Sequence, residues 1–141
     1  MKMRFSLCLI ALGLTAQLVG QNNSEDVPVS LKESVPVFEH CGHIEDDANA
    51  QQTCFNRFIM SHIMNELRWP EGLEENGRVF AEVLFDATGK ITQVESVRSY
   101  DDRAADEAVR AMRTLPDAMR PATKQGEPST YNCVVPVSFQ R

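Results

Sequence analysis

The residues best suited to chemistry lie close together. His40, Cys41 and His43 share the run His40-Cys41-Gly42-His43, and Cys54 and His62 follow. Imidazole and thiolate are common zinc ligands, and a structural zinc site takes four such groups, usually as closely spaced pairs. The spacing here fits no standard finger, so a metal site is the weaker reading. In an oxidising compartment the simplest outcome is a Cys41–Cys54 disulfide. It would close a short polar loop and contribute about 3 kcal/mol in the chain-entropy model. The acid pairs Asp46-Asp47, Glu74-Glu75 and Asp101-Asp102 are adjacent in sequence and need not converge, so loop and helix-cap roles explain them. The chain has no Gly-rich phosphate loop, no G-x-S-x-G and no H-E-x-x-H. The expectation is a protein that is not an enzyme and has no catalytic residues, metal or cofactor.

Composition narrows the partners. The 141 residues are 43% hydrophobic and 24% charged, which suits one globular domain, and the formal net charge is −6. No Lys/Arg block is dense enough to follow a phosphate backbone, so nucleic acid is not an expected partner. Residues 1–20 read as a signal peptide. Lys2 and Arg4 precede the apolar run Phe5 to Leu14, and the small residues Thr15, Ala16 and Gly20 offer cleavage sites. The run is shorter than the roughly 20 residues needed to span a bilayer. The expected location is exported and periplasmic, with an inner-membrane anchor if the signal stays uncleaved. Cys8 leaves with the signal. Cys133 alternates with Tyr131, Val135 and Val137 and reads as a buried core thiol.

The elements that position these residues follow from periodicity. Residues 21–34 are polar and read as a flexible tether, with a short strand at Val27 to Leu31 as one option. Val35 to Cys41 is an extended lead-in. A helix is expected from an N-cap at Thr53 to about Arg68, with Phe55, Phe58, Ile59, Ile63 and Leu67 as its core stripe. Trp69-Pro70 stops it. Val79, Ala81, Val83 and Phe85 alternate onto one face of a strand, while Phe80 and Leu84 enrich the other, which places this strand in the centre of a sheet. Asp86 to Gly89 makes a tight turn. In the next strand Ile91, Val94 and Val97 are three apart, and a β-bulge is needed to restore alternation. Asp101 or Asp102 caps a second helix that buries Ala105, Ala108, Val109 and Met112. Residues 116–128, with Pro116, Pro121, Gly126 and Pro128, read as a loop. Thr130 to Phe139 is the last strand, and Pro136 inside it requires a sheet edge. The order is helix–β–β–helix–β: an α+β fold with two helices on a three-stranded antiparallel sheet.

That edge has functional content. Unpaired N–H and C=O groups on Thr130 to Ser138 could accept an extended peptide by strand addition. The alternative is an edge covered by residues 27–31 or left in water.

The chain also resembles a family. The residues concerned are Pro36-Val37-Phe38, Cys41, the Cys54-bearing helix, Trp69-Pro70, Gly77-Arg78-Val79, Val83, Phe85-Asp86, Gly89-Lys90-Ile91, Asp106 to Arg110, Leu115-Pro116, Arg120-Pro121-Ala122, Gly126, Val135-Pro136-Val137 and Phe139. Their order and spacing over residues 35–141 resemble the C-terminal domain of TonB energy transducers. The resemblance implies a periplasmic binding module whose partner is an outer-membrane TonB-dependent transporter or another envelope protein, engaged in energy-coupled transmembrane transport. The transporter's TonB box would add beside the last strand. Thr130, Tyr131, Asn132, Cys133, Val134, Val135, Pro136 and Val137 would hold it, with Trp69 and Pro70 near the receptor. The connector Glu71 to Asn76 is shorter than is usual in the family. About 15 to 19 residues separate the apolar run from the domain, a reach of roughly 50–65 Å when extended. The expectation is therefore a stand-alone module that modulates transport. Self-association through the same edge, as a weak homodimer or envelope structural protein, is the second reading.

Overall fold

The computed structural model describes residues 33–141. The signal peptide, nearly all of the tether and the option of a strand at Val27 to Leu31 lie outside the described residues. The elements in chain order are β1 (Glu33–Ser34), a 3-10 turn (Glu39–Cys41), α1 (Ala48–Glu66), β2 (Gly77–Phe85), β3 (Ile91–Arg98), α2 (Asp102–Arg113), β4 (Ala122–Lys124), β5 (Glu127–Ser129) and β6 (Tyr131–Phe139).

The main sheet is antiparallel in the order β3-β2-β6. β2 is central, as its two apolar faces require. Val79, Ala81, Val83 and Phe85 are fully buried, and Phe80 and Leu84 on the opposite face are half-buried. The Asp86 carboxylate builds the β2–β3 turn. Its Oδ1 accepts from the Thr88 amide at 2.8 Å, the Thr88 hydroxyl at 2.6 Å and the Lys90 amide at 3.0 Å. These bonds hold the Asp86 carboxyl below the usual carboxylate range. Gly89 takes φ +92°, and a Cβ there would come 2.8 Å from the Ala118 carbonyl oxygen, so the turn needs glycine twice over.

The expected bulge is present, and so is a second one. The β2–β3 pairing passes from Phe85↔Ile91 to Leu84↔Gln93 and from Ala81↔Ser96 to Phe80↔Arg98, which leaves Thr92 and Val97 as extra residues. The first bulge returns Ile91 and Val94 to the core face. The second leaves Val97 half exposed.

α1 and α2 cover the same face of this sheet. Phe55, Ile59 and Ile63 of α1 meet Ala104, Ala108 and Met112 of α2 in one core with the inner faces of β2 and β6. Three expectations need correction. α1 starts six residues earlier than expected, with Asp47 as N-cap accepting the Ala50 amide at 2.9 Å. α2, capped by Asp101, is rotated from the expected phase: it buries Ala104 and Ala111, while Ala105 and Val109 are only half-buried. Residues 116–128 are not all loop, because β4 and β5 form a hairpin joined to β1 in a second small sheet of order β1-β4-β5. Its two-residue turn, Gln125-Gly126, has φ of +55° and +80°, which is type I′ geometry.

Candidate functional site: the open edge of β6

β6 pairs with β2 without a break from Gly77↔Phe139 to Phe85↔Tyr131, and its other side has no strand among the described residues. Tyr131, Cys133, Val135, Val137 and Phe139 point toward the helices, while Asn132, Val134, Pro136 and Ser138 line the outer face. Along a strand, backbone groups alternate between the two neighbours. Proline has no N–H, so the ladder to β2 keeps all its bonds when Pro136 turns its nitrogen to the open side. Asn132, Val134 and Ser138 then present both N–H and C=O to a newcomer, and Pro136 presents only C=O.

The rest of the candidate site lies along this edge. α1 runs in the direction of β6: the Phe55 ring meets Tyr131 at 5.6 Å, Ile59 lies over Cys133 and Val135, and Trp69, just past the helix, meets Phe139 at 6.4 Å. Trp69 thus marks one end of the edge and Thr130 the other. The Trp69 indole N–H donates to the Leu73 carbonyl at 2.8 Å, and the Arg141 guanidinium sits 4.7 Å above its ring. Its own chain therefore occupies much of Trp69, which caps the helix end. Pro70 is half-buried, and its carbonyl accepts from the Leu73 amide at 3.2 Å.

Cys41 and Cys54 form the expected disulfide. Cys133 is free and half-buried, a correction to the fully buried thiol expected from alternation. The strand is an edge, so among the described residues no strand covers its flank. Burial still pushes the Cys133 thiol up from its ordinary value. His40, His43 and His62 line one groove on α1 with Arg57 and Phe58, and His62 Nε2 is 2.7 Å from the Thr114 hydroxyl. Among the described residues no His/Cys/Asp/Glu cluster has metal-binding geometry.

Sequence reading missed the clamp that fixes the Trp69 end. Glu107 of α2 accepts from the Arg68 amide at 2.8 Å and from Arg110 Nε at 2.8 Å, and Arg110 Nη2 donates to the Glu66 carbonyl at 2.7 Å. The pair thereby satisfies orphan groups at the C-terminal end of α1. The only sequence signal was an acid–arginine pair three apart, which fits any solvated helix face. Arg110 first, then the Arg68 amide, holds the Glu107 carboxyl below its ordinary value against the opposing effect of burial. A depressed folded-state pKa contributes stability above the unfolded value, about 4.3, and loses it as pH falls through the folded value. Glu107→Gln is therefore expected to lower the denaturation midpoint at pH 7 and to close the gap to wild type in acid. A gap that stays constant from pH 7 to pH 3 would contradict the clamp.

A search of curated proteins finds no match. Among solved structures, the chain is similar to the solution structure of the Helicobacter pylori TonB C-terminal domain, at 20% identity and a TM-score of 0.45, over 61% of this chain and 92% of that one. The family model for the C-terminal region of Gram-negative bacterial TonB proteins matches residues 72–140, from the lead-in to β2 through the whole of β6. The domain that these residues build is a TonB C-terminal-like domain.

Proposed function

We propose that this is a periplasmic protein-interaction module that takes an extended segment of an outer-membrane transporter, or of another envelope protein, as a new strand beside β6. One observation carries the reading: the two edges of the main sheet are unlike. β3 is bulged at Thr92 and Val97, which twists its edge and interrupts its ladder. β6 is nine residues long and pairs with β2 in unbroken register. Proteins usually blunt such an edge, and a straight one left open is a template for another chain. The match to the TonB C-terminal family supports a transporter as the source of the strand.

The test is a titration of TonB-box peptides against the isotope-labelled mature chain. Backbone amides of Asn132, Val134 and Ser138 should shift, with little change in β3. Val134→Pro removes an open-side donor without touching the ladder to β2. It should weaken peptide binding at least tenfold, since each lost backbone bond leaves a partner carbonyl unpaired. Melting should move by only a few degrees. If no peptide perturbs Asn132 to Ser138, the strand-addition reading loses its basis.

A further inference from the structure

The open edge of β6 is one wall of a groove of about 420 Å³, and α1 is the other. Asn56, Ile59 and Met60 face Cys133, Val134, Val135 and Pro136 across it. Met60 is 36% exposed, and Met64, one turn further along the same helical row, is 73% exposed. Large apolar side chains in water beside unpaired backbone form a composite surface, with hydrogen bonds from the strand and apolar contact from the helix. Resting on the strand-addition reading above, we propose that Met60 and Met64 read the incoming strand and select apolar side chains at its positions i and i+2.

Spacing supports the match. Residues one turn apart on a helix are separated by about 6 Å along its axis. Alternate residues of a strand, which share a face, are separated by about 6.6–6.8 Å. Because α1 runs along β6, a strand added to β6 directs every second side chain toward this row. Methionine is flexible and polarizable, which suits a wall that accepts several apolar shapes.

Pro136 favours a foreign strand over a second copy of this chain. In a twofold pairing of β6 with itself about Val135, Pro136 falls opposite Val134 twice, and each time a donor is missing. A foreign strand meets that gap once. α1 also lies outside residues 72–140, the span that the family model matches.

Two capped peptides of equal length test the proposal on the mature chain, one alternating valine with threonine, the other alternating serine with threonine. Amides of Asn132 and Val134 report strand addition, and the methionine methyls of Met60 and Met64 report the wall. The valine peptide should shift both sets. Met60→Lys with Met64→Lys should weaken that peptide about tenfold and leave the serine peptide within twofold. Both side chains are exposed, and Met64→Lys alone, at the more exposed site, provides a second variant if the pair perturbs folding. If the amides shift while the methyls stay silent and the lysine variants bind equally well, the wall is refuted and strand addition stands. If no amide shifts with either these peptides or TonB-box peptides, strand addition itself falls, and the wall with it.

Discussion

Phe38→Ala is expected to cost about 3–5 kcal/mol, the range for deleting a buried phenylalanine that leaves its cavity unfilled. Phe38 is 1% exposed although it belongs to neither a helix nor a main-sheet strand. Its ring lies 5.6 Å from Phe55, 4.4 Å from Phe58 and 6.0 Å from Phe85, so one side chain joins α1 to β2. The backbone on its N-terminal side is pinned as well. The Val37 amide donates to the Arg120 carbonyl at 3.0 Å, and the Met119 amide donates to the Val37 carbonyl at 2.8 Å. Neighbours held this firmly cannot collapse into the gap, which places the cost toward the upper part of the range. For a domain of about 100 residues, each kcal/mol moves melting by roughly 4–8 °C, so a fall of at least 12 °C is expected. Chemical denaturation at 25 °C gives the free energy directly. Phe58→Ala, at a half-buried site in the same cluster, should cost clearly less. Equal losses at the two sites would show that Phe38 is not the centre of the cluster.

The parts of the fold legible in the sequence are those where one face meets the core and the other does not. β2 could be read residue by residue because its side chains alternate without interruption, and Pro136 announced an edge because proline cannot sit inside a ladder. The start of α1 was not legible. None of Ala48 to Thr53 is buried, so no apolar stripe marks them, and Asp47 resembled its neighbour Asp46 until the Ala50 amide singled it out. The phase of α2 was lost for a different reason. Alanines at 104, 105, 108 and 111 spread over about a third of the helix circumference, and alanine is equally at home at the centre or the margin of a buried face. The β4–β5 hairpin was hidden by strands of three residues and by Gln125 in a turn position that asparagine or aspartate usually fills. The candidate site was half legible. The strand could be seen, but its second wall could not: Met60 and Met64 fall off the buried stripe of α1, where sequence alone gives them no partner.

Reduction of the Cys41–Cys54 bond is expected to lower stability by about 3 kcal/mol, because a link between residues 13 apart removes that much conformational freedom from the unfolded chain. The bond also has a local consequence. The first buried residue of α1 is Phe55, so Ala48 to Cys54 carry no core anchor of their own. They are held by the Asp47 cap, by a bond from the Gln51 side chain to the Ile44 carbonyl at 3.1 Å, and by the disulfide to Cys41, which is only 2% exposed. A short helix segment without packing is marginal in water. Hydrogen exchange at Ala50 to Thr53 should therefore speed up on reduction, while amides in β2 and on the paired side of β6 stay protected. Reduction keeps both sulfurs in place, so it isolates the link. A double alanine variant adds a cavity at Cys41 and should be less stable still. If the reduced protein melts within 2 °C of the oxidised one, the loop and first turns of α1 are ordered without the bond. The helical wall beside β6 would then not depend on the redox state of the compartment.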